Sequence, residues 1–209
     1  MLRNHAPLLL AAALLAAGCT PTNSRPAAAP SATRPNHAGQ SLWHLIDENG
    51  KTLTQLPDDD ATVTAVRRTV VLHSGVVDNR DHRSITGSAS QEFTFYSKGF
   101  ADKLRSQRYD TKLSELFTSN RLVTRQTSIA WYRSTFPQDM TTAKVEMDSV
   151  IEFTSADQSY LKTNKFELNK PYTQHRTVSL TKTDGKWTIV GIEKDRLTQE
   201  AATIPKPTP

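Results

Sequence analysis

The sequence predicts an α+β fold in which amphipathic helices pack on a curved, mostly antiparallel sheet, with an N-terminal β-hairpin ahead of them. Three observations carry this expectation. Ala89, Phe93, Tyr96, Phe100 and Leu104 recur at three- and four-residue steps, the stripe of a helix. From residue 121 onward the apolar period falls to two, most cleanly over residues 144–153. Two turn signals, Asn49-Gly50 and Asp184-Gly185, each separate a pair of β-compatible runs. The chain has 209 residues, 36% hydrophobic and 22% charged, with a mean hydropathy of −0.53. That composition fits one domain with tails and excludes a polytopic membrane protein, a collagen-like fibre and a disulfide-stapled miniprotein.

At the N-terminus, Arg3 precedes the apolar run Leu8–Ala17, which is too short to cross a hydrocarbon core of about 30 Å as a helix. Small residues then lead to Cys19, the single cysteine, so no intrachain disulfide can form. Residues 1–18 resemble a bacterial lipoprotein signal peptide with its lipobox. The resemblance implies cleavage before Cys19 and acyl chains such as palmitate on its thiol and amine. It makes membrane lipid a partner through Cys19 and places the protein at the cell membrane or outer membrane, on the extracytoplasmic side. Each buried CH₂ contributes about 0.8 kcal/mol, so several chains anchor firmly. Residues 19–40 are rich in Pro, Ala, Ser and Thr, with no acidic residue and no aromatic, and read as a flexible tether. Residues 199–209 read as a disordered tail.

The formal charge of +5 weakens on inspection. From residue 41 onward, 23 Lys and Arg face 21 Asp and Glu, a net of +2, so no nucleic-acid partner is expected. The stretch from Lys98 to Arg133 is locally basic and reads as a solvated face, with a patch for anionic headgroups or an acidic partner as the sharper alternative.

The next elements follow in order. Residues 42–56 form the hairpin, with Asn49-Gly50 in a type I′ turn. Asp58, Asp59 and Asp60 offer helix caps for residues 61–73, against which the β-branched TVTAVRRTVVL favours strand; the capping signal tips the reading to helix. Residues 75–87 are polar and read as an exposed connection. The stripe predicts a helix over 88–107, with Ser88 and Gln91 as a capping box and Gly99 as a defect that permits close packing. A short helix fits 111–118, and a strand fits 123–133. In 144–153, Val145, Met147, Ser149, Ile151 and Phe153 share one face, while Lys144, Glu146, Asp148 and Glu152 share the other. Within 154–171, YLKTNKFEL reads as a short strand. Residues 172–194 form a hairpin around Asp184-Gly185.

The order of these elements, the string Asp110–Phe117 after the long helix, and the closing TVSLTKTDGKWTIVGIEK together resemble the nuclear transport factor 2-like cone fold. The match covers roughly residues 88–195, about half the chain, and places a cone-like domain at 88–198 with 41–87 as hairpin and connecting segment. Combined with a lipid anchor, the chain is similar to Mce-associated proteins and to the periplasmic accessory domains of conjugation and secretion systems. These resemblances imply partner binding or scaffolding rather than catalysis.

Sequence motifs for chemistry are lacking: there is no Gly-rich phosphate loop, HExxH, CxxC or EF-hand spacing, so neither cofactor nor metal is expected. The Asp58–Asp60 triple offers hard oxygen donors for Ca²⁺, but adjacent carboxylates repel and no ligand spacing follows. The histidines are scattered, with His73 expected half-buried. Cone-fold enzymes place a carboxylate with Tyr or His in the cone. Tyr96, Asp148 and His175 are the groups available for that, but the pattern assembles no acid/base pair from them. The sequence therefore reads as a membrane-anchored, non-enzymatic binding or scaffolding module for an envelope protein, its candidate surface being Trp131, Tyr132, Trp187, Arg121 and Arg125. The alternative is a small-molecule binder or an isomerase- or dehydratase-type enzyme using the cone cavity.

Overall fold

The computed structural model describes residues 41–199. The expected signal peptide, Cys19, and the expected tether and tail beyond Gln199 lie outside the described residues. The elements in chain order are β1 (Trp43–Ile46), β2 (Thr52–Leu56), α1 (Ala61–Asp78), α2 (Ile85–Glu92), a 3₁₀ turn (Phe93–Phe95), α3 (Lys98–Ser106), α4 (Tyr109–Ser119), β3 (Val123–Trp131), β4 (Ser134–Pro137), β5 (Thr142–Ser155), α5 (Gln158–Asn164), β6 (Pro171–Thr183), β7 (Lys186–Lys194) and β8 (Thr198–Gln199). All eight strands join one open sheet in the order β2-β1-β4-β5-β6-β7, with β3 also on β5 and β8 also on β6. Every pairing is antiparallel except β1 with β4. The fold is the expected α+β class, helices on a mostly antiparallel sheet.

Alternation sets the two faces. Ala143, Val145, Met147, Ser149, Ile151 and Phe153 of β5 are buried, and the intervening residues are exposed or half-buried. The facing β6 residues Arg176, Val178 and Leu180 are buried on the same side. One cluster unites Ala143, Val145, Met147, Val178 and Leu180 with Trp43 of β1, Val63, Val66 and Val70 of α1, Phe100 and Leu104 of α3, and Trp187 and Ile189 of β7. The core thus joins residues on both sides of position 88.

Asp60 caps α1 as expected, accepting from the Thr62 and Val63 amides at 2.7 and 3.1 Å. The helix does not stop near Gly75. Its buried stripe Val63, Val66, Val70, His73, Val77 continues to Asp78. The expected exposed connection over 75–87 is therefore corrected: Asp78 and Arg80 are 3% and 4% exposed, and Ile85 begins α2.

The helix expected over 88–107 is broken at Tyr96 and Ser97, both extended. Ser97 N–H donates to Ile189 O at 2.9 Å, and Tyr96 bridges Ile189 in parallel, so this segment covers the open edge of β7. An edge strand has backbone groups to satisfy, and meeting them outweighs continuing the helix. Ser97 then caps α3. The capping box does not form, because α2 starts at Ile85 and Ser88 Oγ donates to Val76 O instead. The space around Gly99 is open, so it serves no close packing. The stripe residues Ala89, Tyr96, Phe100 and Leu104 are nonetheless all buried.

Two local readings also change. In the first hairpin only Gly50 has positive φ; Asp47 Oδ1 accepts from the Asn49 and Lys51 amides, giving a five-residue loop rather than a type I′ turn. Asp184 and Gly185 do form the type I′ pair, at φ 51° and 77°. Residues 160–168 are not a strand: α5 and its exit pack Tyr160 and Phe166 against Phe153 and Tyr172.

Replacing Asp60 by Ala leaves two amides of the first α1 turn without their cap and is expected to destabilise the protein by about 1 kcal/mol, measured by urea denaturation.

Candidate functional site

Two buried polar networks meet at the C-terminal end of α1. In the first, the Arg176 guanidinium of β6 grips Asp78 through two nitrogens, at 2.5 and 2.9 Å. Ser74 and Ser149 hydroxyls donate to the same carboxylate at 2.8 and 2.6 Å, and the Gln126 amide at 2.9 Å. This ties α1 to β3, β5 and β6. Burial alone would raise the Asp78 pKa, but the Arg176 charge and these donors hold it below the usual range.

In the second network, Glu92 at the end of α2 accepts from Arg80, Tyr96 and Tyr109. Its pKa is also lowered: burial acts upward, but the charges of Arg80 and Lys194 and the Tyr96 hydrogen bond together outweigh it. The Tyr96 proton is used on Glu92, so its oxygen accepts from His73 Nε2–H at 3.1 Å, which assigns the tautomer. His73, expected half-buried, is fully buried. Desolvation drives its pKa down to about 3, despite the upward pull of Glu92, so it is neutral. Burial, followed by the Glu92 charge, pushes the Tyr96 and Tyr109 hydroxyls up, Tyr109 to about 12. Phe93 packs on Tyr96 and Tyr109, and Phe95 packs on His73. The strongly perturbed groups thus satisfy one another inside the protein.

The sheet face opposite the core carries a third cluster. Tyr132 Oη donates to Asp148 Oδ2 at 2.5 Å, and Asp148 Oδ1 lies 2.8 Å from His175 Nδ1. The β5–β6 register sets Asp148 directly beside His175, an acid–histidine pair that 27 positions of sequence separation conceal. Tyr132 is 41% exposed and its ring stands edge-on to His175. On the neighbouring β3–β5 pair, Arg125 donates to Glu152 at 2.9 Å.

The sequence-derived surface residues therefore separate. Tyr132 and Arg125 share the outward face. Trp131 points to the helix side, half-buried on Trp43 beneath the Arg67 guanidinium. Trp187 is 4% exposed, inside the core, and so does not contribute to a surface. Arg121 is exposed near Asp157 at the α4–β3 connection. The basic stretch is broken up by acids: Asp102 pairs with both Lys98 and Arg105, and Glu152 with Arg125. No group of three or more His, Cys, Asp or Glu able to hold a metal occurs among the described residues, and no helix there is long and apolar enough to cross a membrane.

Sequence reasoning missed Asp78, Arg80, Glu92 and Arg176. The available signal was Val77, which carries the α1 stripe past Gly75 and brings Asp78 and Arg80 with it.

No protein-family model and no curated protein matches the chain. Among solved structures, the chain is similar to the periplasmic domain of DotI, at 10% identity over 68% of this chain and 99% of that one, with a TM-score of 0.49. An IcmL-like type IV secretion system protein from Legionella pneumophila gives 10%, 66%, 94% and 0.47. Agrobacterium tumefaciens VirB8 gives 9%, 68%, 98% and 0.43.

Arg176→Ala leaves the Asp78 carboxylate buried and unpaired and is expected to cost about 3–5 kcal/mol by urea denaturation; the double change Asp78→Leu with Arg176→Met costs markedly less than the single one. His73 binds its proton near pH 6.5 when unfolded but only near pH 3 when folded, so the unfolded state takes up more protons in that window. Stability should therefore fall by up to about 1.4 kcal/mol per pH unit below pH 6.5. Asp78 and Glu92, held low in the folded state, add their own loss as pH falls through the carboxylate range. In denaturation series at pH 7.5, 6 and 5, His73→Gln should flatten the slope above pH 5.

Proposed function

We propose that this protein is a lipid-anchored, extracytoplasmic binding or scaffolding module, held at the membrane through acyl chains on Cys19. Its folded domain offers the outward face of the sheet to an envelope protein. The observation that carries the binding surface is the Tyr132–Asp148–His175 cluster. A half-exposed aromatic and a histidine are held by a shared carboxylate on a rigid central strand pair, with the Arg125–Glu152 pair on the same face. Aromatic and Arg side chains are favoured anchors of protein interfaces, and positions fixed before contact lose little entropy on binding.

The isomerase-type alternative asks Tyr96 to meet a substrate. Its hydroxyl is committed to Glu92 and His73, and the rings of Phe93, Phe95 and Phe100 pack around this pair. A non-enzymatic role uses these groups as the structural knot they form.

The test uses the full chain with Cys19→Ala and the same form carrying Tyr132→Ala and His175→Ala. The Cys19→Ala form should leave the membrane fraction yet recover the same partner from envelope extracts, and the added changes should abolish that recovery while the fold, followed by circular dichroism, is kept. An unmodified Cys19 thiol in the mature wild-type protein by mass spectrometry overturns the anchor. Recovery unaffected by the surface changes overturns the face.

A further inference from the structure

An open groove of about 480 Å³ runs between α1 and the β6–β7 turn, at a distance from the outward sheet face. One wall is a single stripe of α1, where Ala61, Ala65 and Leu72 alternate with Thr64, Arg68 and Thr69 over about 16 Å at 1.5 Å per residue. The other wall is Phe95 of the 3₁₀ turn with Gly185, Lys186 and Trp187. Leu72 is among the most exposed large apolar residues of the domain, at 50%. Two cations, Arg68 and Lys186, line the groove, and no carboxylate does. Neither cation makes an ion pair or a side-chain hydrogen bond among the described residues, in contrast to Arg80, Arg125 and Arg176, which all do.

We propose that this groove binds a single-chain anionic amphiphile of the fatty-acid class, its apolar chain along the α1 stripe and its carboxylate at Arg68 and Lys186. The volume lies in the range of small-molecule sites, which are mostly apolar with a few placed polar groups. The lining is net positive, so charge selects an anion, and the apolar walls select a chain. A peptide suits the groove less well. Its amides would need partners, and the wall that α1 presents has its backbone groups bonded within the helix. The groove is lined by none of the residues proposed for the anchor or the outward face, so it stands whether or not either of those is correct.

The experiment uses the full chain with Cys19→Ala, which carries no acyl anchor, titrated with laurate below its micelle concentration by calorimetry and by amide NMR. Laurate should saturate one site and shift the amides of residues 61–72, 94–95 and 185–187. Dodecylamine, with the same tail and the opposite charge, should bind at least about tenfold more weakly, and acetate should not bind. Arg68→Glu with Lys186→Glu, both at exposed positions, should weaken laurate at least about tenfold and leave the amide spectrum of the core unchanged. Val190→Ala, an exposed apolar position outside the groove, should leave affinity unaltered. The proposal is overturned by non-saturating laurate binding, by equal affinity for the amine, by shifts confined to other residues, or by binding to anionic phospholipid vesicles with none to laurate.

Discussion

Four charged side chains are taken out of water at the C-terminal end of α1, and the arrangement of the domain depends on their being matched. Removing an ion from water costs several kcal/mol, and this is recovered only when an opposite charge and further hydrogen bonds meet it in good geometry. Asp78 finds Arg176 on β6, and Arg80 finds Glu92 on α2. Asp78 and Arg80 are two positions apart, so a single stretch of backbone docks the helix to the sheet and the next helix to it. Hydrophobic burial along α1 is non-directional. The charge pairs add direction, because only one rotation and one axial position of α1 bring both guanidinium–carboxylate contacts into range.

The division of the sheet into two faces follows. On the inner side, polar groups are satisfied by one another: Gln126, Ser74 and Ser149 complete the shell of Asp78, and the two tyrosines complete that of Glu92. Titratable groups with strongly shifted protonation often mark catalysis. Here the hydrogen-bonding capacity of Asp78 and Glu92 is spent on groups inside the protein. On the outer side, groups of the same chemical types, a tyrosine, a carboxylate and a histidine, lie half in water on long paired strands. The difference between the inner clusters and the outward one is one of burial, since the residue types are the same.

The interrupted helix shows the same competition at the level of the backbone. Each stripe residue from Ala89 to Leu104 has a reason to face the core, and in an isolated helix that spacing would continue unbroken. The edge of β7 lacks a neighbouring strand along part of its length, and Tyr96–Ser97 supplies one. Local propensity gives way to satisfying the edge because the substitution costs little: Ser97 restarts a helix as its cap, and a 3₁₀ turn absorbs the change in direction.

From residues alone, the α+β class, the strong alternation of β5, the Asp184-Gly185 hairpin and the Asp60 cap were all legible, because each depends on a period or on a turn chemistry confined to a few neighbours. The buried stripe of α1 is legible as far as Val77, because its three- and four-residue spacing runs past Gly75. What only the tertiary structure decided were the pairings across long separations: Asp78 with Arg176, Asp148 with His175, and the edge of β7 with Tyr96. A string rich in Asp and Arg, such as DNRDHR, reads as solvated, since charges prefer water. Whether they are instead buried depends on partners brought in by the fold, 98 positions away for Asp78 and 12 for Arg80, and no local pattern records that.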